Sequence, residues 1–234
     1  SSPENISLNY LSSENGKELS MTHRLVALFL SSIVLGSVVS AQTSIKPKPR
    51  LAPIDPNKVA LIINGAGGEE EYAKQFDEWT RSLRDSLTQR YGFDAAKTRV
   101  LTEKPGDANE LRATAEEVRR IFGLLKSELQ PSNVLFVFLI GHGSFDGKES
   151  KFNLVGPDIP ASEYNVLLDA LPTRRVVAFN MSSASGEFAK TLSAKGRIII
   201  TATRNGQETN ATHFPPGVAT MTSTPSRSAF TCVS

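Results

Sequence analysis

Cysteine is almost absent from this sequence: Cys232 is the only one in 234 residues. A lone cysteine excludes a disulfide framework within the chain, and it excludes a zinc site built from several thiolates. Histidine is also scarce, since His23, His142 and His213 are far apart and show no metal-ligand spacing. We therefore expect no metal and no other cofactor.

Clustered positive charge is missing as well. The chain carries 26 Lys and Arg against 24 Asp and Glu, for a formal net charge of +2. These basic residues are spread along the chain, without a basic block or a basic stripe interleaved with aromatic residues. Proteins that bind nucleic acid have such patches, so we expect no nucleic-acid partner.

Long apolar stretches are missing except in residues 21–41, MTHRLVALFLSSIVLGSVVSA. There Arg24 precedes an apolar stretch, and small residues lead up to Ala41, which is the pattern of a secretory signal peptide cleaved before Gln42. The apolar stretch is shorter than the ~20 residues of a membrane span. We expect export to the periplasm or the extracellular space, with no other membrane contact; the alternative is a retained N-terminal membrane anchor.

Composition divides the rest of the chain into segments. Residues 1–20 are polar and aperiodic, typical of a leader or a mis-extended start, and residues 42–57 form a proline-rich linker. The folded domain is predicted over residues 58–214. Residues 215–234 are rich in Ser, Thr and Pro, which indicates a disordered or aberrant tail.

Apolar runs and amphipathic patterns alternate within the domain. The patterns predict strands over 58–64, 98–103, 133–140, 175–180 and 196–203. Helices are expected over 72–91, from an Asp107–Glu110 capping box to Leu129, over 162–171 and over 185–192. Continuous apolar strands alternating with helices indicate a mostly parallel sheet of about five strands with helices on both faces. The predicted fold class is an α/β three-layer sandwich.

The first loop of the predicted sheet, NGAGGEE, invites comparison with a nucleotide-binding loop. A site in an open parallel sheet lies beyond the carboxyl ends of the strands, where this loop is. However, Glu70 stands where a dinucleotide fingerprint needs its third glycine, and acidic residues in the first helical turn repel a phosphate. The loop is better explained as a tight turn.

Two later loops carry residues suited to catalysis. GHGSFDG puts His142 directly after the most apolar strand, with Gly143 able to turn its N–H toward a developing negative charge. FNMSSASG puts Ser183 in a strand-to-helix turn, where a nucleophile would be exposed; the alternative is a helix cap by Ser183 or Ser185. One strand and one helix separate the two motifs, so we expect His142 and Ser183 at adjacent strand ends.

These two motifs resemble the caspase-like superfamily of cysteine peptidases, which includes legumains, caspases, metacaspases and gingipains. Its members share an apolar strand ending in His-Gly and a later apolar strand ending in the catalytic cysteine. The legumain form, C-x-S-G, fits best and overlays residues 183–186. The resemblance covers about residues 58–214. It implies a caspase-like sandwich and a His–Cys dyad acting on peptide bonds, with His142 as general base and acid and the N–H groups of Gly143 and residue 183 facing the oxyanion.

The nucleophile position is where this chain departs from that family, because it has Ser183 in place of cysteine. A cysteine is readily ionised, with a free pKa of about 8.5, whereas a serine hydroxyl needs a base in close contact, oriented by a third group. We therefore expect a degenerate, non-catalytic homologue that binds a peptide or protein ligand in the cleft. The alternative is a weak peptidase or hydrolase using Ser183 with His142.

An α/β-hydrolase is a different explanation for the same serine. That fold requires G-x-S-x-G, and here Met181 occupies the position of the first glycine. Glu208 and His213 follow Ser183 in the required order, but little of the fold remains to position them. The sequence therefore favours the caspase-like interpretation.

Overall fold

The apolar runs of the sequence come together in one sheet. The computed structural model describes residues 51–209 and the backbone of residues 231–233. Its strands are β1 (Lys58–Asn64), β2 (Thr98–Thr102), β3 (Glu110–Arg112), β4 (Val134–Ile140), β5 (Gly143–Phe145), β6 (Ser150–Phe152), β7 (Ile159–Pro160), β8 (Val176–Asn180), β9 (Arg197–Thr201) and β10 (Thr231–Val233). Its helices are α1 (Glu70–Arg90), α2 (Ala115–Glu128), α3 (Ala161–Asp169) and α4 (Gly186–Leu192), with a 3₁₀ turn at Ala95–Lys97.

Seven of these strands form the main sheet, in the order β10-β9-β8-β4-β1-β2-β3. All neighbouring strands are parallel except β10, which runs antiparallel to β9. A smaller antiparallel sheet, β5-β6-β7, follows directly from the end of β4. The chain passes from β1 to β2 on one side and then crosses back to β4 on the other. Such a reversal of direction opens a crevice beyond the strand ends.

Helices cover both faces of the main sheet, which confirms the predicted α/β three-layer sandwich. On one face, α2, α3 and α4 bury a large core against the strands, with aromatic contacts among Phe122, Tyr164 and Phe188. On the other face, α1 packs Phe76, Leu83 and Leu87 against β1 and β4. Six parallel strands are present where about five were expected, because the short β3 extends one edge.

The start of the second helix was predicted wrongly. Glu110 does not cap a helix with Asp107; it begins β3, and its buried carboxylate pairs with Arg84 at 3.2 Å. The helix begins after Thr114, whose Oγ1 accepts the N–H of Glu117 at 3.2 Å. Two capping-box patterns lie close together in this stretch, and the pairing of β3 with β2 decides between them.

Part of the predicted proline-rich linker belongs to the described structure. The N–H of Ala52 donates to the carbonyl of Arg90 at 3.2 Å, and that of Asp55 to Gly92 at 2.8 Å. The chain thus enters the domain beside the C-terminal end of α1. The predicted leader (1–20), the signal peptide (21–41) and most of the predicted tail lie outside the described residues. Within residues 51–209, no helix is long and apolar enough to cross a membrane.

Leu135 provides a test of how much the central strand β4 contributes to the stability of the core. It is fully buried in β4, between β1 and β8. Leu135→Ala should lower the free energy of unfolding by about 2–5 kcal/mol, because it removes buried methyl groups and leaves a cavity. Leu124→Ala on the outer side of α2, where the side chain is 38% exposed, is the control and should change it by less than about 0.5 kcal/mol. Equal losses in urea unfolding would contradict the assignment of the core.

Candidate functional site

The residues of the candidate site follow three neighbouring parallel strands, at one edge of the sheet. β4 lies between β1 and β8, and the register pairs Ile140 with Asn64 and Leu139 with Asn180. The loops that follow β1, β4 and β8 therefore leave the sheet side by side. The predicted adjacency of the His142 and Ser183 strand ends is present in the structure.

Ser183 is in direct contact with the residue that follows His142. Its hydroxyl accepts the N–H of Gly143 at 3.2 Å and donates to the carbonyl of the same residue at 3.1 Å. A Cβ on Gly143 would lie 2.3 Å from the Ser183 carbonyl oxygen, so only glycine permits this approach. Ser183 itself is only 5% exposed. The two sequence motifs thus meet at a backbone-to-hydroxyl contact.

His142 is held by the loop after β1. Its Nε2 lies 3.1 Å from the carbonyl oxygen of Gly67, and its ring packs edge-on against Tyr72 and Phe76, with centroids 5.0 Å apart in both cases. A carbonyl can only accept, so Nε2 carries the hydrogen and Nδ1 is left as the acceptor of the neutral ring. Among the described residues, the ring forms this one hydrogen bond and none with Ser183.

The turn after β8 is held in a strained conformation by its neighbours. Ala184 has φ of +52°, a left-handed conformation that costs a non-glycine residue about 1–3 kcal/mol. Its N–H donates to the carbonyl of Glu208 at 2.7 Å, and the N–H of Gly186 donates to Thr203 Oγ1 at 2.9 Å. The loop after β9 therefore fixes the turn that presents Ser183.

Neither Ser183 nor Ser185, the two serines expected as helix caps, caps α4 with its side chain. Ser185 occupies the N-cap position, but its hydroxyl lies 3.3 Å from Thr203 Oγ1 and makes no cap hydrogen bond. The hydroxyl of Ser183 is directed at Gly143 instead. Ser182 is buried, and both its N–H and its hydroxyl donate to Asn180 Oδ1. The helix-cap explanation of this serine-rich turn is thus wrong at the level of side chains.

The glycine-rich loop after β1, predicted as a tight turn, is an irregular and closely packed loop over residues 65–68. The N–H groups of Gly65, Ala66 and Gly67 all donate to protein oxygens, the last of them to the carboxylate of Glu103 at 3.1 Å. A Cβ on Gly65 would lie 2.1 Å from the carbonyl oxygen of Asn153. These glycines permit close packing, and no free row of N–H groups faces outward from them to cradle a phosphate.

The residues required by an α/β-hydrolase are not assembled. The Glu208 carboxylate faces its own loop, at 3.4 Å from the N–H of Arg204 and 3.3 Å from Asn205 Nδ2. His213 lies outside the described residues. Within the described part of the chain, no group of three or more His, Cys, Asp or Glu side chains could hold a metal ion.

The arrangement supplies a base without coupling it to the nucleophile. Gly67 orients His142, which is one requirement for activating a hydroxyl. The second requirement is a hydrogen bond from that hydroxyl to the base, and here the hydroxyl donates to Gly143 instead. The same hydroxyl occupies the Gly143 N–H that an oxyanion would need. The roles of Gly67, Tyr72 and Ala184 could not be predicted from residue type, because packing and backbone atoms create them.

A carboxylate orders the hairpin that extends from the site. Asp146 accepts the N–H groups of Lys148 and Glu149 at 3.0 and 2.9 Å and pairs with Lys151 Nζ at 3.0 Å. These donors, the Glu149 N–H first, lower the pKa of Asp146 to about 2. The turn between β5 and β6 is thereby tied together.

This pKa predicts how the hairpin responds to acid. Because the carboxyl of Asp146 has a lower pKa in the folded chain than in the unfolded one, its ionised form stabilises the hairpin above about pH 4, and this is lost as pH falls toward 2. In a carboxyl NMR titration, Lys151→Ala should raise the pKa of Asp146. Lys148→Ala keeps the donating N–H and should leave it unchanged. An unchanged pKa of Asp146 in Lys151→Ala would refute the contribution assigned to the Lys151 ammonium group.

Comparisons with known proteins give a distant structural likeness alone. No protein-family model and no curated protein matches the chain. A solved structure that resembles it is that of protein GSU0716 from Geobacter sulfurreducens, with a TM-score of 0.48 and 14% sequence identity over 70% of this chain and 80% of that chain. A likeness at this level carries no argument about function.

Proposed function

We propose that the chain is a caspase-like, legumain-type domain whose nucleophile has been replaced, and that it binds a peptide or protein segment without cleaving it. The family part of the proposal is supported by the two motifs and by their position at neighbouring ends of β4 and β8. It is further supported by the contact between Gly143 and Ser183, the residues to which the resemblance assigns oxyanion and nucleophile positions.

The absence of cleavage rests on one observation, the two hydrogen bonds between the Ser183 hydroxyl and Gly143. A serine attacks a carbonyl only when a base removes its proton as the bond forms. Here the proton is directed at a carbonyl oxygen, which cannot act as that base. The N–H that would stabilise the tetrahedral intermediate is also occupied by the serine.

The ligand is proposed to be an extended segment lying along β5. One edge of β5 pairs with β6, and on the other edge the N–H and carbonyl of Gly143 face Ser183. Backbone groups alternate between the two edges of a strand, so those of Phe145 share the edge used by Gly143. The Ser183 hydroxyl already bonds the groups of Gly143, so a ligand would bond those of Phe145 or displace the serine. Addition of a strand to a sheet edge is a common mode of peptide binding, and backbone hydrogen bonds supply its affinity.

A weak hydrolase is the second candidate, and the hydrogen bond between Gly67 and His142 favours it. That bond orients the ring and leaves Nδ1 unprotonated, as a general base requires. Hydrolysis would still require Ser183 to release Gly143 and turn toward the ring. A fluorophosphonate probe separates the two candidates: labelling of Ser183 that disappears in His142→Ala would support the hydrolase and overturn the binding-only proposal.

Ser183→Cys tests the site from the other direction. The Gly143 N–H should stabilise a thiolate, and His142 should favour it by accepting the proton of the thiol, so both should lower the pKa of the new thiol. In a Cys232→Ala background, we expect alkylation by iodoacetamide at pH 7 to be about ten-fold faster than that of an ordinary thiol. His142→Ala in the same background should remove most of this gain. Mass spectrometry of the alkylated peptide gives the rates.

Ser144→Cys is the matched control for that experiment. Ser144 adjoins Gly143 and is more exposed than Ser183, so burial does not slow its reaction, and its hydroxyl donates to Asn153 Oδ1 at 3.1 Å, away from Ser183. Its thiol should react at an ordinary rate and ignore the His142 substitution. If the thiol at position 183 behaves in the same way, His142 does not act on that position and the proposed site is wrong.

We also propose that the protein is exported, on the basis of the pattern in residues 21–41. Cleavage after Ala41 should leave a mature chain that begins at Gln42. N-terminal sequencing of the protein recovered from the periplasm or the medium checks this. A protein recovered from the membrane with residues 25–41 still attached would instead support the anchor.

A further inference from the structure

One face of the main sheet is packed by a single described helix, α1. Among the described helices, α2, α3 and α4 pack on the opposite face, and only α1 packs on this one. It covers β1, β2 and β4, with its buried residues against Ala60, Ile62 and Phe138. Within residues 51–209, no helix therefore covers β8 and β9 on this face, where a three-layer sandwich normally has one.

The uncovered part of this face presents apolar side chains rather than polar ones. The register aligns Phe136 with Val177 and Ile198 in one row across the sheet, and Phe179 with Ile200 in the next. We call these five residues the open face. All five are at least partly exposed, and Ile198 is 44% exposed in the middle of its strand. Contiguous exposed apolar surface of this kind marks an interaction site.

Two hollows give the open face the shape of a trough. One, of about 280 Å³, lies between Phe136, Phe179 and the side of α1 formed by Leu83 and Leu87. The other, of about 770 Å³, lies over Val134, Val177 and Ile198. The side of α1 forms one wall of the first hollow, and the second hollow lies at the amino-terminal ends of β8 and β9.

One end of the trough is basic. Lys58, Arg175 and Lys195 line the two hollows at the amino-terminal ends of the strands. Lys58 bonds the carbonyl of Tyr91 at 3.0 Å and lies over the Phe93 ring, and Arg175 bonds the carbonyl of Ser132 at 3.1 Å. None of the three pairs with a carboxylate within the part of the chain that the structure describes. The trough thus joins an apolar floor to unpaired positive charge.

We propose that the open face binds an amphipathic helix of a partner protein, with its apolar side on the strands and acidic residues over Lys58, Arg175 and Lys195. Packed helices lie about 8–10 Å apart, so a helix beside α1 would lie over β8 and β9. The five-residue strands β8 and β9 are about 17 Å long, which corresponds to about 11 helical residues. This surface is separate from the Ser183 edge, so the inference is independent of the proposed function.

The charge of the trough argues against residues 210–230 of this chain as the occupant. Residues 210–230, which connect to β10, contain no Asp or Glu and include three prolines, Pro215, Pro216 and Pro225. Such a sequence supplies no acidic group to face Lys58, Arg175 and Lys195.

A synthetic peptide tests the proposal on the full chain. The probe is a fluorescein-labelled helix of about 14 residues with leucines at helical spacing and glutamates in one terminal turn. We expect saturable binding by fluorescence anisotropy, and weaker binding by about five-fold or more when lysines replace the glutamates. Ile198→Asp should weaken binding at least about ten-fold, because it buries an unpaired charge. Arg175→Glu should reduce the preference for the acidic peptide over the basic one, because it leaves two of the three cations, Lys58 and Lys195.

Val166→Asp is the matched control, since Val166 is 65% exposed on α3, on the other side of the sheet. It should leave binding within about two-fold of wild type, given that distant surface changes act independently. Ile198→Ser serves as a second variant if Ile198→Asp lowers the melting temperature. The proposal is overturned by absent or non-saturable binding, by equal binding of both peptides, or by equal effects of the position 166 and 198 variants.

Two further outcomes would identify a different occupant and also overturn the proposal. A concentration-dependent dimer in light scattering, lost in Ile198→Asp, would mean that a second copy of the chain covers the open face. Co-sedimentation with phosphatidylglycerol vesicles, lost in the same variant, would mean that the open face contacts a lipid surface. A monomer that ignores the vesicles and binds the acidic peptide supports the proposal.

Discussion

The ladder of backbone hydrogen bonds that holds β4 between β1 and β8 determines the rest of the molecule. Parallel pairing places the carboxyl ends of all three strands at one edge of the sheet. Gly67, His142 and Ser183, which are far apart in sequence, therefore lie in neighbouring loops. The register matters as much as the order, because shifting a strand by one residue turns its side chains to the opposite face. The alternation of partly exposed and buried residues from Val134 to Val137 enforces that register along the first half of β4.

The apolar pattern of the sequence was enough to predict much of the fold. Runs such as VLFVFLI and VVAFN predict buried strands directly, and the spacing of the two motifs predicts neighbouring strand ends. The small sheet of β5, β6 and β7 gave no such signal, because its strands have two or three residues and lie among glycines and charges. The capping-box pattern at Glu110 predicted the wrong helix start, because an acidic residue there can also form a buried salt bridge. Only the pairing of β3 with β2 distinguishes a helix cap from a salt bridge at this position.

The finer geometry of the site was beyond the sequence for a different reason. A backbone carbonyl, such as that of Gly67, orients His142 without requiring any particular side chain. Ala184 adopts a left-handed conformation that its residue type does not favour, and the loop after β9 imposes it. The open face was equally hidden, since the apolar run of β9 predicts burial on both sides. Tertiary packing covers only one side, and Ile198 shows the difference.

The contact between Ser183 and Gly143 has consequences for both stability and reactivity. A hydroxyl donates and accepts hydrogen bonds well, whereas a thiol does both weakly. At this position a serine can satisfy the N–H and the carbonyl of the same glycine, each bond contributing on the order of 1 kcal/mol. A cysteine there would bond the strand less well but would ionise more readily. A serine at position 183 therefore strengthens the junction between β5 and the turn after β8 more than a cysteine would, and it is the less readily ionised of the two side chains.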